Sequence, residues 1–185
     1  MKPAQFPKLI KSERIYLKAL DSDDAEKIFK LINSERKYIG EFLEWVDNIK
    51  TIDDEVKYVK TQTEAAKDLL GFDWCIYENT TNDFLGYIGT DPVTFELFKD
   101  GKFIDWNNGI ISFAYFLKQE ANGNGYMTEA LGKMRDIAIE LGFSRVEINS
   151  EVENIKSQNV AERCGFIHDD GDFGKMYYLA SNDNM

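Results

Sequence analysis

Asn122-Gly123-Asn124-Gly125, followed at once by Tyr126-Met127-Thr128-Glu129-Ala130, is the stretch of this 185-residue chain best suited to hold an anion. Paired glycines adopt backbone angles that other residues avoid and let main chain approach a ligand closely. If a helix opens just after them, its first N–H groups have no internal partner and its dipole favours negative charge. The spacing narrows which anion loop this is. No Gly-Lys-Ser/Thr follows, so it is not a P-loop, and a dinucleotide fingerprint would need glycine where Thr128 stands. Carboxylates are the other reactive groups in supply. Glu147, Asn149 and Glu151 fall on alternate positions of one segment, and Glu41, Glu44 and Asp47 cluster in another. His168 is the single histidine and follows Gly165-Phe166 as an ordinary strand residue. Cys75 and Cys164 stand far apart without a Cys-x-x-Cys, so neither a disulfide framework nor a metal-ligand cluster is indicated.

These groups need positioning elements, and the pattern supplies them. Residues 110–117 are almost wholly apolar and read as a strand buried on both faces, too short to span a bilayer. Beyond the loop, Met127, Ala130, Leu131, Met134, Ile137, Ala138 and Leu141 fall at helical spacing, and Gly142 caps that helix. Earlier, residues 13–20 alternate as a first strand, and Asp21-Ser22-Asp23-Asp24 opens a helix that buries Ile28, Phe29, Leu31 and Ile32. A second helix is expected over residues 34–45. A third opens at Thr51, with acidic Asp53, Asp54 and Glu55 in its first turn and Val56, Val59, Thr63, Ala66 and Leu70 facing inward. Strands follow at 72–78 and 84–89, and residues 99–102 suggest a hairpin turn. Val146, Ile148 and Val152 alternate as a strand, 157–164 reads as a short helix capped by Gly165, and 166–180 as two strands around residues 170–172. The order predicts a mixed α/β (α+β) fold around one sheet, in a single domain over residues 1–185 with no linker or repeat.

The formal net charge of −11 argues against binding nucleic acid through phosphates and suits a cationic partner, or simply solubility. No apolar run of signal-peptide or membrane-spanning length is present at the N-terminal end, which together with the lone cysteines predicts a cytoplasmic protein.

Three separated segments carry a family resemblance. Ala114-Tyr115-Phe116-Leu117 with the loop and helix start at 122–130 resembles the acetyl-CoA-binding motif of the GCN5-related N-acetyltransferases, in particular the RimJ/RimL-like branch acting on ribosomal proteins and polyamines. Asn154-Ile155-Lys156-Ser157, leading to Glu162-Arg163-Cys164-Gly165-Phe166, is similar to that branch's Asn-x-x-Ser…Glu-x-x-Gly-Phe signature. Tyr38-Ile39-Gly40-Glu41-Phe42-Leu43-Glu44-Trp45-Val46-Asp47 looks like its substrate-side helix.

The resemblance implies a mostly antiparallel central sheet flanked by helices, with two central strands that start side by side and then splay around the pantetheine arm. It implies acetyl-CoA as cosubstrate and a primary amine as acceptor, cationic in character: a ribosomal-protein N-terminus or a polyamine-like molecule. It places the amides of Asn122, Gly123, Asn124, Gly125 and Tyr126, with Met127 and Thr128 at the helix start, on the pyrophosphate. Phe116 and Leu117 would line the cofactor strand, Asn154 would bond the pantetheine, and Ser157 would protonate the departing thiolate. A capping pair at the next helix is the alternative for Asn154 and Ser157. Glu147 and Glu41 are candidates for the general base, a group the residues alone leave unassigned. Two departures stand out: Glu120 precedes the loop where Gln or Arg is usual, and the loop has no basic residue. Both would suit an alternative, a non-catalytic acyl-CoA sensor or inactive relative. Family members are often homodimers, and no interface is legible here.

Overall fold

The computed structural model describes residues 6–67, 71–91, 110–169 and 175–181. Among the described residues eight strands form one sheet, in the order β1-β2-β3-β4-β5-β6-β8-β7. They are β1 (Leu9–Lys11), β2 (Ile15–Ala19), β3 (Asp73–Glu78), β4 (Phe84–Asp91), β5 (Ile110–Leu117), β6 (Arg145–Glu151), β7 (Ile167–Asp169) and β8 (Lys175–Ser181). Every pairing is antiparallel except β5 with β6, the two strands joined through a helix. The helices are α1 (Ala25–Ser34), α2 (Arg36–Ile39), α3 (Ile52–Lys67), α4 (Tyr126–Glu140) and α5 (Ile155–Arg163). The mixed, mostly antiparallel sheet flanked by helices is the architecture expected from the sequence.

Because side chains alternate along a strand, the sheet feeds two cores. Trp74, Ile76, Ile88 and Phe113 join Met127, Leu131 and Met134 of α4 on one side. Cys75, Tyr77, Tyr87 and Phe116 join Ile28 and Ile32 of α1 and Val59 of α3 on the other. Leu131 and Met134 are fully buried, and each such side chain contributes roughly 2 kcal/mol by leaving water. Both helices that border the later site end in the same way. Gly142 and Gly165 take left-handed backbone, and the N–H of the following Phe143 or Phe166 returns to the carbonyl of Ala138 or Ala161. This fixes where α4 and α5 stop.

Several expectations need correction. The helix expected over 34–45 is broken. It runs only through Ile39, and a separate 3-10 segment spans Glu44–Asn48. Arg36 explains the break, since its guanidinium donates to the carbonyls of Val46 and Ile49 and folds the segment back on itself. The inward face of α3 is rotated from the expected one. Val56 is 49% exposed, whereas Glu55 is fully buried beside Val59. Val152 is exposed, and β6 ends at Glu151 with Ser150 in the third inward place. The short β1 was unforeseen. Leu70, the hairpin turn at 99–102 and the turn at 170–172 lie outside the described residues. Among the described residues no helix is long and apolar enough to cross a membrane.

Candidate active site

Strands β5 and β6 pair over only three positions, Ile110 with Arg145, Ile111 with Val146 and Ser112 with Glu147. Beyond Ser112, β5 continues its ladder to β4 on one side, and β6 continues to β8 on the other. Between them they leave a notch. Here the strand expected to be buried on both faces opens, because Ala114 and Tyr115 are only half-buried. The notch widens into a cleft of about 650 Å³. Its lining includes Phe116 and Leu117 of β5, Asn122 and Met127 at the two ends of the glycine loop, Asn154 and Ser157 of α5, and Glu41.

The loop has the geometry an anion requires. Gly123 and Gly125 have φ of +80° and +79°, angles that only glycine takes without strain. A 3-10 turn at Gln119–Ala121 brings the chain in. The Asn122 N–H is spent there, donating to the Gln119 carbonyl, while its side chain bonds the Lys118 and Gln119 carbonyls. Asn122 therefore buttresses the loop and does not offer its amide. The amides of Gly123, Asn124, Gly125, Tyr126, Met127 and Thr128 donate to no acceptor among the described residues, and the Thr128 hydroxyl oxygen is buried without a partner. The first intrahelical bond of α4 is Glu129 N–H to the Gly125 carbonyl. Six consecutive free donors at a helix N-terminus, with an orphaned hydroxyl behind them, fit a diphosphate.

The missing basic residue comes from elsewhere. Arg14, just before β2, reaches the loop: Nη1 donates to the Asn124 carbonyl at 2.7 Å, and the guanidinium lies 5.2 Å from the Tyr126 ring centre. Its Nε bonds Glu129 Oε2 and its backbone N–H bonds Oε1, both at 2.9 Å. Burial pushes the Glu129 carboxyl up, but bonds from the Arg14 backbone, Ser12 and the Arg14 side chain outweigh it and hold it below its usual value. Glu120 is 76% exposed and pairs with Lys118 at 2.8 Å, so its charge points away from the loop.

Across the notch, Asn154 caps α5 by accepting from the Ser157 N–H at 3.1 Å. The Ser157 hydroxyl lies 3.1 Å from the Tyr115 hydroxyl, joining α5 to the open part of β5. Tyr115 as a partner of Ser157 was missed by sequence reasoning. The available signal was its place as the single phenol in a strand whose one other polar side chain is Ser112. Of the two carboxylates considered as bases, Glu41 lines the cleft. Glu147 stands at the last position of β6 that pairs with β5, outside the lining, and its carboxylate is bound by Arg145 at 2.7 Å. Glu151, on the same strand face, does line the cleft. Both cysteines are buried. Burial raises the Cys75 thiol strongly and that of Cys164 to about 11, so neither is a nucleophile near neutral pH.

Comparison with known proteins agrees with this arrangement. The chain is 26% identical over 168 residues to "Probable N-acetyltransferase YjcK" of Bacillus subtilis (strain 168), covering 88% of this chain and 85% of that protein. Among solved structures, the RimL ribosomal L7/L12 alpha-N-protein acetyltransferase in complex with coenzyme A superposes with a TM-score of 0.80 at 18% identity, over 96% of this chain and 99% of that one. The microcin C7 self-immunity acetyltransferase MccE, in complex with acetyl-CoA and AMP, gives 0.79 at 21%, over 96% and 98%. At these identities the superpositions speak to the fold. The family profile for the acetyltransferase (GNAT) domain matches residues 14–167, from the arginine at the glycine loop to the strand after α5, and the chain belongs to the GNAT acetyltransferase family.

Proposed function

We propose that the 185 residues act as one N-acetyltransferase domain, moving the acetyl group of acetyl-CoA to a primary amine by direct attack on the thioester. The observation that carries this reading is the β5–β6 notch opening beside the run of free amides from Gly123 to Thr128. When bound, acetyl-CoA supplies an activated acyl group and a thiolate leaving group. The loop amides and the Thr128 hydroxyl hold the pyrophosphate, and Arg14 offsets its charge. The edge of β5 past Ser112, with Asn154 opposite, receives the pantetheine amides. A backbone N–H on that edge stabilises negative charge developing on the carbonyl oxygen. Tyr115 and Ser157, 3.1 Å apart, hand a proton to the sulfur. Glu41, on the acceptor side of the cleft, attracts a cationic amine and accepts its proton; Glu147 keeps Arg145 and the strand junction in place.

The reading as a silent acyl-CoA sensor rested on Glu120 and on a loop without a basic residue. Glu120 faces solvent and Arg14 fills the basic place, so those two grounds lapse. The test is CoA release, followed with a thiol reagent, over a panel of peptides with free N-termini, diamines and simple amines. Release that depends on an acceptor is expected; none with any class overturns the reading.

A further inference from the structure

Behind the Trp45 and Phe116 wall of the cleft lies a cluster of buried acids that the catalytic reading does not use. Glu55 of α3 is fully buried, and neither carboxylate oxygen has a hydrogen-bond partner among the described residues. Asp73, at the start of β3, is 6% exposed; its Oδ1 accepts from the Tyr87 hydroxyl and its Oδ2 has no partner among the described residues. Tyr58, one turn after Glu55, places its hydroxyl 3.3 Å from that of Tyr87, and both carboxylates act on it electrostatically. Tyr58 thus links Glu55, on its own helix, to the Tyr87–Asp73 pair, and three carboxylate oxygens of the cluster lack a partner among the described residues. Among the described residues no lysine or arginine pairs with either acid.

This cluster packs directly against the cleft wall. The Trp45 ring stacks on Tyr58 at 6.0 Å, the Phe116 ring on Tyr87 at 5.6 Å, and both Trp45 and Phe116 line the cleft. In the sheet, Asp73 pairs with Gly89 and Gly89 with Ala114, another lining residue. A Cβ on Gly89 would collide with Asp73 Oδ1 and stand 3.1 Å from the Tyr87 hydroxyl. The carboxylate therefore lies over the glycine, leaning along the row toward Ala114. Two strand spacings separate the Asp73 and Ala114 backbones by about 10 Å, and the lean shortens that gap.

Buried carboxylate oxygens left without donors are costly, and a cation with several N–H groups satisfies them. We propose that Glu55 and Asp73, with the hydroxyls of Tyr58 and Tyr87, form a subsite for a second ammonium of the acceptor, a short flexible spacer away from the amine that reacts. The proposal rests on the acetyltransferase reading for the reacting amine. In the free protein burial pushes both acids up to about 7; the entering ammonium displaces one proton to solvent and pairs with the carboxylate so formed, while the second acid stays protonated and accepts a hydrogen bond through its carbonyl oxygen. A short diamine and a peptide with a lysine next to its N-terminus present the same chemistry.

The test compares diaminobutane with butylamine, and a lysine-bearing peptide with its norleucine counterpart, by CoA release. The wild type is expected to prefer the dicationic member of at least one pair by tenfold or more in kcat/KM, and the pair preferred identifies the source. In Asp73→Asn and Glu55→Gln that preference falls to within about twofold of unity, while the acetyl-CoA dissociation constant measured by calorimetry stays within twofold. No preference in the wild type, or a preference intact in both variants, overturns the subsite. If Asp73→Asn does not fold, Glu55→Gln and Tyr87→Phe decide. Calorimetric binding of diaminobutane to wild type and Glu55→Gln reads the pocket without turnover: binding lost in the variant supports it even if no amine is acetylated, and equal binding overturns it.

Discussion

Arg14→Met tests how the glycine loop manages charge. The side chain is 46% exposed, so its ion pair with Glu129 contributes only about 0.2–1 kcal/mol to stability. For a chain of this size that is a fall of a few degrees in Tm at most. The larger effect falls on binding. Without the guanidinium, the Glu129 carboxylate, 13% exposed, loses its cation one helical turn, about 5.4 Å, behind Gly125. A phosphate in front of Gly125 stands roughly 10 Å from that charge, and with an effective dielectric constant of about 40 the repulsion is about 0.8 kcal/mol per unit charge. Two phosphates give about 1.6 kcal/mol, roughly a tenfold loss of acetyl-CoA affinity. Calorimetric titration reads it directly. Two further results should accompany the loss: it shrinks at high salt, and adding Glu129→Gln to Arg14→Met restores most of the affinity. A dissociation constant within twofold of wild type refutes the charge argument, and a loss that neither salt nor Glu129→Gln touches assigns Arg14 to loop geometry alone.

Ser157→Ala and Tyr115→Phe are each expected to lower kcat by about a hundredfold with acetyl-CoA affinity nearly unchanged; steady-state rates beside calorimetry separate the two, and an unaltered kcat removes that residue from proton transfer. Gly125→Ala puts a Cβ on left-handed backbone 3.3 Å from Arg14 Nη2, costing about 1–2 kcal/mol. Gly123→Ala meets no atom within 4 Å and carries the backbone penalty alone, so the Tm of the Gly125 variant should fall further. The pH dependence of stability has a definite sign at Glu55. Its folded pKa of about 7 exceeds the ordinary 4.5, so its contribution is full below the ordinary value and is lost as pH rises through about 7, by on the order of 3 kcal/mol. Glu55→Gln should therefore raise Tm at about pH 8 and change it little in acid, as thermal melts will show; a variant less stable than wild type at alkaline pH contradicts this.

The loop and α4 were legible because their signals are local: glycine spacing, then apolar residues every three or four positions. What sequence reasoning missed was set by contacts between distant parts of the chain. Arg14 meets Glu129 and Asn124 more than a hundred positions later, and nothing near Arg14 announces it. The inward face of α3 was misjudged because Val56, Val59 and Thr63 form a plausible apolar stripe. Rotating the helix by one residue buries Glu55, which local propensity cannot distinguish from an acid placed for the helix dipole. The cap formed by Asn154 was open to the sequence as the alternative for the Asn154–Ser157 pair, whereas Asn122, whose amide was expected on the pyrophosphate, buttresses the loop through carbonyls that only the folded turn brings within reach.

The three-residue contact between β5 and β6 has a mechanical consequence. Five strands lie on one side of it and three on the other, so the sheet is two panels joined by a short weld and by the helix that crosses between them. A molecule wedged into that gap with bonds to both panels acts as a brace. Amide hydrogens along the inner borders should then exchange more slowly when the gap is filled, and under load the empty protein tears first at this seam.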